Sequence, residues 1–165
     1  MSERWILNAS PLIVLARVGQ TRLFTALAER VIVPSAVAAE IDAGPDDDPA
    51  RAILQARHFE IIAAPPAAPE LLNWDLGAGE TAVLSVALAE PGWIAILDDA
   101  AARKCARSFS LPVKGTLAVV LLARQKGLIP SAVEVLRSIR ASGFRLDDRV
   151  IEEALAHTVG ERWSP

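Results

Sequence analysis

Short apolar runs alternate with stretches of helical periodicity along the chain, the pattern of an α/β sandwich built on a parallel sheet. Trp5-Ile6-Leu7, ending at Asn8, reads as a first strand and Val31-Ile32-Val33 as a second. Phe59 to Ile62 reads as a third, Trp93 to Leu97 as a fourth, and Pro112-Val113 as a short fifth. The fourth is apolar at all five positions, as expected of a strand covered on both faces. Helices are predicted from Ser10 onward and over Leu23–Glu29, Pro34–Glu40, Ala50–Arg57 and Gly79–Ala89. Further helices follow over Ala100–Phe109, Thr116–Gln125, Ser131–Ala141 and Asp147–Ala156. Ser10-Pro11 offers the first helix an N-cap hydroxyl and a first-turn proline. Asp48-Pro49 makes a similar helix start after Gly44-Pro45-Asp46-Asp47, whose acids read as a solvated loop. Ala63 to Leu76, rich in Pro and Ala, lacks strong periodicity and reads as a surface crossing.

Composition narrows this picture. With 165 residues, 52% of them apolar, the chain is expected to fold as one domain, residues 1–165, around a sizeable core. No apolar span reaches the roughly 18 to 20 residues of a membrane helix. The run after Met1-Ser2-Glu3-Arg4 is too short for a signal peptide, so a cytoplasmic protein with no membrane partner is expected. The single cysteine, Cys105, excludes an internal disulfide and a thiolate metal cluster, and reads as a small packed residue. The net charge of −3 conceals an asymmetry. Residues 1–99 carry 6 basic and 14 acidic side chains, a balance of −8; residues 100–149 carry 10 and 3, a balance of +7. One half suits cations and the other phosphates, although solvated helix faces give the same balance.

Candidate chemistry concentrates at the ends of elements. The strand at Trp93 stops abruptly at Asp98-Asp99. Catalytic and binding groups of open α/β sheets lie at the carboxyl ends of strands. Two adjacent carboxylates there cost stability unless a cation or partner compensates them. The alternative is that one aspartate merely caps the next helix. Asn8 with Ser10 follows the first strand, Glu40 lies in the helix after the second, and Glu80 stands in the first turn of its helix. Oxygen donors without a His or Cys cluster favour Mg²⁺ or Mn²⁺ over zinc. His58 and His157 stand alone, and no G-x-S-x-G elbow is present to support a serine triad. Gly77-Ala78-Gly79-Glu80 lacks the third glycine of a dinucleotide turn and reads as the start of a helix. A phosphoacceptor receiver would place its acidic pair at the first strand, so that order is wrong here.

The segments Leu7-Asn8-Ala9-Ser10-Pro11-Leu12-Ile13, Val33 to Ile41, Leu76-Gly77-Ala78-Gly79-Glu80 and Ile96 to Arg103 together resemble the PIN-domain superfamily. Val113-Lys114-Gly115-Thr116-Leu117 and Gly127-Leu128-Ile129-Pro130 are similar to its DUF3368 branch of nucleic-acid-binding proteins. The resemblance implies a three-layer α/β/α sandwich with a central parallel sheet of about five strands and acids gathered at one edge. It also implies an Mg²⁺- or Mn²⁺-dependent endoribonuclease, many of this superfamily being toxins of toxin–antitoxin pairs. By that resemblance Glu40, Glu80 and Asp98 match the second to fourth acids, Asp99 shares or takes the last role, and Ser10 is a substrate-side hydroxyl. Asn8 stands where the pattern has an aspartate; its amide oxygen can ligate a hard cation but brings no charge. The expected metal ligands are therefore Asn8, Glu40, Glu80, Asp98 and Asp99, with Arg103, Lys104 and Arg107 on the RNA backbone. RNA, an antitoxin protein and a second copy of the chain are the expected partners. The alternative is a nucleic-acid-binding module whose catalysis is weak or lost at Asn8.

Overall fold

Trp5, Ile6 and Leu7 are consecutive and have no exposed surface, which a strand achieves only when both of its faces are covered. In the computed structural model, which describes residues 2–164, they belong to β1 (Arg4–Leu7) at the centre of a parallel sheet. The other strands are β2 (Arg30–Pro34), β3 (Glu60–Ile62), β4 (Trp93–Ile96) and β5 (Val113–Lys114), in the spatial order β3-β2-β1-β4-β5. Ile6 pairs with Ile32 on one side and Ala95 on the other, and Leu7 pairs with Ile96. Helices α1 (Ala9–Arg17) and α2 (Arg22–Leu27) join β1 to β2, and α3 (Ser35–Asp42) and α4 (Pro49–Gln55) join β2 to β3. The return crossing holds α5 (Pro69–Leu72) and α6 (Ala78–Ala89); α7 (Ala100–Ser108) joins β4 to β5. Helices α8 (Thr116–Gln125), α9 (Ala132–Ala141) and α10 (Asp148–Thr158) close the chain.

This order fixes where a site can form. The chain runs outward from β1 to β3, crosses back, and continues through β4 to β5. The reversal falls between β1 and β4, and ligands of doubly wound sheets bind outside the carboxyl ends of strands at such a point. Helices that follow or precede parallel strands also begin at that edge, so their free N–H groups gather there.

Two expectations change. Helix α1 begins at Ala9 with Asn8 as its N-cap, not Ser10, and Asn8 makes no side-chain cap bond. Pro11 still falls within the first turn, where its missing N–H breaks no intrahelical bond. The Ser10 hydroxyl is thereby released for a tertiary partner. The crossing from Ala63 to Leu76 is not wholly irregular: Pro69 starts a one-turn helix that Leu71 anchors in the core. Of the acidic loop, Asp48 is buried, caps α4 through the Ala50 N–H at 3.0 Å and pairs with Arg17 at 3.1 Å. Asp46 and Asp47 are exposed, Cys105 is buried in α7, and His58 and His157 lie on the surface.

Candidate metal and nucleic-acid site

Each polar residue of the carboxyl edge is held by the start of a helix. The Asn8 N–H extends the sheet by one bond, to Ile96 O at 3.2 Å, and its side chain is 5% exposed. Asp98 accepts three hydrogen bonds: Thr116 N at 2.8 Å on Oδ1, and Thr116 Oγ1 at 2.7 Å and Ser10 Oγ at 3.2 Å on Oδ2. Thr116 opens α8 and is fully buried, so Asp98 is the anion at the start of that helix. Asp99 caps α7 by accepting the Ala102 N–H at 2.9 Å. Glu40 Oε1 accepts the Gly79 N–H of α6 at 3.1 Å, and Glu80 stands one residue further along. The capping alternative is therefore half of the truth: both aspartates serve helix starts, and on different helices.

The acids nonetheless exceed what the helices neutralise. At the opposite edge of the sheet Glu60 and Glu90 each have an arginine, Arg30 at 2.8 Å and Arg4 at 3.1 Å. There the hydrogen bond from Arg30 holds the Glu60 carboxyl below its ordinary range. Among the described residues Glu40, Glu80, Asp98 and Asp99 make no ion pair. Burial pushes the Glu80 carboxyl above its ordinary range, and the neighbouring charges of Asp99 and Glu40 push the same way. In the metal-free protein, Glu80 thus keeps its proton where the unfolded chain has released it. Stability is then lost as pH rises from the ordinary glutamate range through the raised one. Glu80→Gln is expected to gain melting temperature relative to the parent as pH rises through the interval just above the ordinary glutamate range. A difference that stays constant over that interval would contradict this account of Glu80.

The edge offers oxygen donors only, the donor type of hard divalent cations. Asn8 Oδ1 is buried without a hydrogen-bond partner among the described residues, one residue past the Leu7–Ile96 pair where β4 runs on to Asp98. A buried acceptor left unsatisfied at a strand end is one that a cation can answer. The acids are spread rather than clustered, since no three Asp, Glu, His or Cys side chains converge at ligand spacing among the described residues.

The basic half of the chain divides in two. Arg124 pairs with Glu161 at 3.1 Å, Arg140 with Asp148 at 2.5 Å, and Arg137 donates to Ser164 O at 2.7 Å. These side chains fasten the C-terminal segment. Helix α7, which starts at Asp99, carries Arg103, Lys104 and Arg107; Lys104 and Arg107 are exposed with no ion pair among the described residues. Arg103 donates to Leu97 O at 3.1 Å. A Cβ on Gly115 would fall 2.7 Å from Arg103 Nη1 and 3.1 Å from Asp98 Oδ1, so this glycine admits both groups. In the sequence Gly115 and Thr116 stand only within the family-like segment Val113 to Leu117, a Gly-Thr pair directly after a strand, with no sign of their contact with Asp98.

The sequence matches the family model DUF3368, a PIN domain, over residues 4–160. The chain belongs to this family. PIN domains are nucleases in general type and generally depend on divalent metal. A comparison with curated proteins returned no match. No helix among the described residues of this PIN domain is long and apolar enough to cross a membrane.

Proposed function

We propose that this PIN domain hydrolyses RNA phosphodiester bonds with Mg²⁺ or Mn²⁺ held by Asn8, Glu40, Glu80, Asp98 and Asp99. The observation that carries the reading is the buried Asn8 Oδ1, without a hydrogen-bond partner among the described residues, at the strand end next to the one that runs on to Asp98. A bound cation of this class acidifies a water and offsets the charge that develops on a phosphoryl group. The protein's own groups do the positioning. Ser10 and Thr116 hold the Asp98 carboxylate in one orientation through their hydroxyls. Lys104 and Arg107 are exposed on α7, which starts at Asp99 and carries Arg107 in its last turn, and on this reading they serve the RNA backbone. Arg103, already donating to Leu97 O, supplies a fixed positive charge next to Asp98. On this reading residues 1–165 form one cytoplasmic domain acting as the toxin of a toxin–antitoxin pair, with an antitoxin and a second copy as protein partners. That extension rests on the family alone.

Single-stranded RNA given to the parent and to Asp98→Ala with Mg²⁺ or Mn²⁺ tests the proposal. Cleavage by the parent that needs the metal and is lost in the variant is expected. Equal cleavage by both proteins would sink it. The second reading, a binding module, is favoured by one residue, Asn8, which brings no charge to the site. RNA retained without cleavage by the parent would support it.

A further inference from the structure

We propose that Gly79 is a positioning residue for Glu40: the missing side chain lets the Glu40 carboxylate seat itself on the Gly79 N–H beside Glu80. The inference rests on the metal-dependent reading above. Gly79 is the second residue of α6 and is buried. Its backbone is not in the left-handed region, so nothing in its conformation calls for glycine, and alanine is the better helix former. What an alanine methyl would meet is a side chain on another helix. A Cβ at this position would lie 2.7 Å from Glu40 Oε1, 3.1 Å from its Cδ and 3.3 Å from its Oε2. Gly77, two residues earlier, faces open space, so the restriction is specific to Gly79.

The same residue supplies the attraction. Its N–H is among the first four of the helix, which have no intrahelical acceptor, and a carboxylate is favoured there by the helix dipole. Among the described residues this is the single hydrogen bond made by the Glu40 carboxylate. Glu40 is otherwise exposed on α3 and would sample several rotamers. Gly79 therefore converts an exposed acid with many rotamers into one fixed at the start of α6, beside Glu80. A methyl group at this place displaces a flexible side chain, not backbone, so the fold survives and the direction of Glu40 does not.

Thermal melting and Mn²⁺ binding followed by electron paramagnetic resonance, on Gly79→Ala, Glu40→Ala, Glu40→Asp and the double variants, test this. In the Glu40→Ala background, Gly79→Ala is expected to raise the melting temperature by about 2–4 °C, and by less in the parent. Gly79→Ala alone is expected to weaken Mn²⁺ binding about tenfold, as loss of a group that orients a ligand does. Gly79→Ala/Glu40→Asp is expected to recover part of that loss, because the shorter acid makes room for the methyl. Equal melting shifts in both backgrounds would overturn the proposal, and so would unchanged Mn²⁺ affinity in Gly79→Ala while the parent binds. If the parent binds no Mn²⁺, the metal-dependent reading fails by itself, and the melting shifts alone decide whether Gly79 holds Glu40.

Discussion

Asp98→Ala is expected to lose metal-dependent cleavage and, separately, about 3 kcal/mol of stability, lowering the melting temperature by roughly 10 °C. The second loss follows from what the carboxylate does without any metal. It accepts the amide and hydroxyl of Thr116, which is fully buried, and the hydroxyl of Ser10. Removing the acceptor leaves buried donors unmatched, at about 1–3 kcal/mol each, and relief of repulsion from Asp99 returns only part of this. Asp98→Asn keeps an oxygen for the Thr116 amide, so it is expected to lose cleavage with a smaller stability cost. Urea unfolding of the three proteins, with RNA assays run well below every melting point, separates the two effects. A stability loss below about 0.5 kcal/mol in Asp98→Ala would show that α8 does not depend on this anion.

Asn8→Asp is expected to act in opposite directions with and without metal. The residue is 5% exposed and its Oδ1 has no partner among the described residues, so a carboxylate there is a buried, uncompensated charge. Without a cation the variant should lose roughly 3 kcal/mol. With Mn²⁺ the added charge should tighten binding at least about tenfold, which is about 1.4 kcal/mol, and raise cleavage above that of the parent. Melting curves at several Mn²⁺ concentrations check both halves. A variant as stable as the parent without metal, and no more responsive to Mn²⁺, would remove Asn8 from the site.

The strands were legible because Trp5-Ile6-Leu7, Val31-Ile32-Val33 and Trp93 to Leu97 are unbroken apolar runs, and the strands they predict recur within a residue or two. Their lateral order was not legible, since apolar runs buried on both faces carry no label of their neighbours. The acids could be found singly, as polar residues at strand ends or first helical turns. Their partners could not. Thr116 lies 18 residues beyond Asp98 and Gly79 lies 39 beyond Glu40, and such contacts are set by how helices converge on one edge. Ser10 shows the same limit: its local sequence fits an N-cap, and a tertiary acceptor at Asp98 takes the hydroxyl instead. Charge asymmetry was plain in the chain. Its division, with Arg124, Arg137 and Arg140 spent on the C-terminal segment and Lys104 and Arg107 left exposed on α7, needed the fold.

The proposed function puts the cation at the adjacent ends of β1 and β4. Fe²⁺ substituted for the native ion, with ascorbate and peroxide, cuts polypeptide backbone near where it binds, and mass spectrometry of the fragments locates it. The account predicts cuts beside Asn8, Gly79-Glu80 and Asp98-Asp99, suppressed by excess Mg²⁺ and absent in Glu80→Gln. Cuts confined to the exposed acids at Asp46-Asp47, or an unchanged pattern in Glu80→Gln, would contradict it.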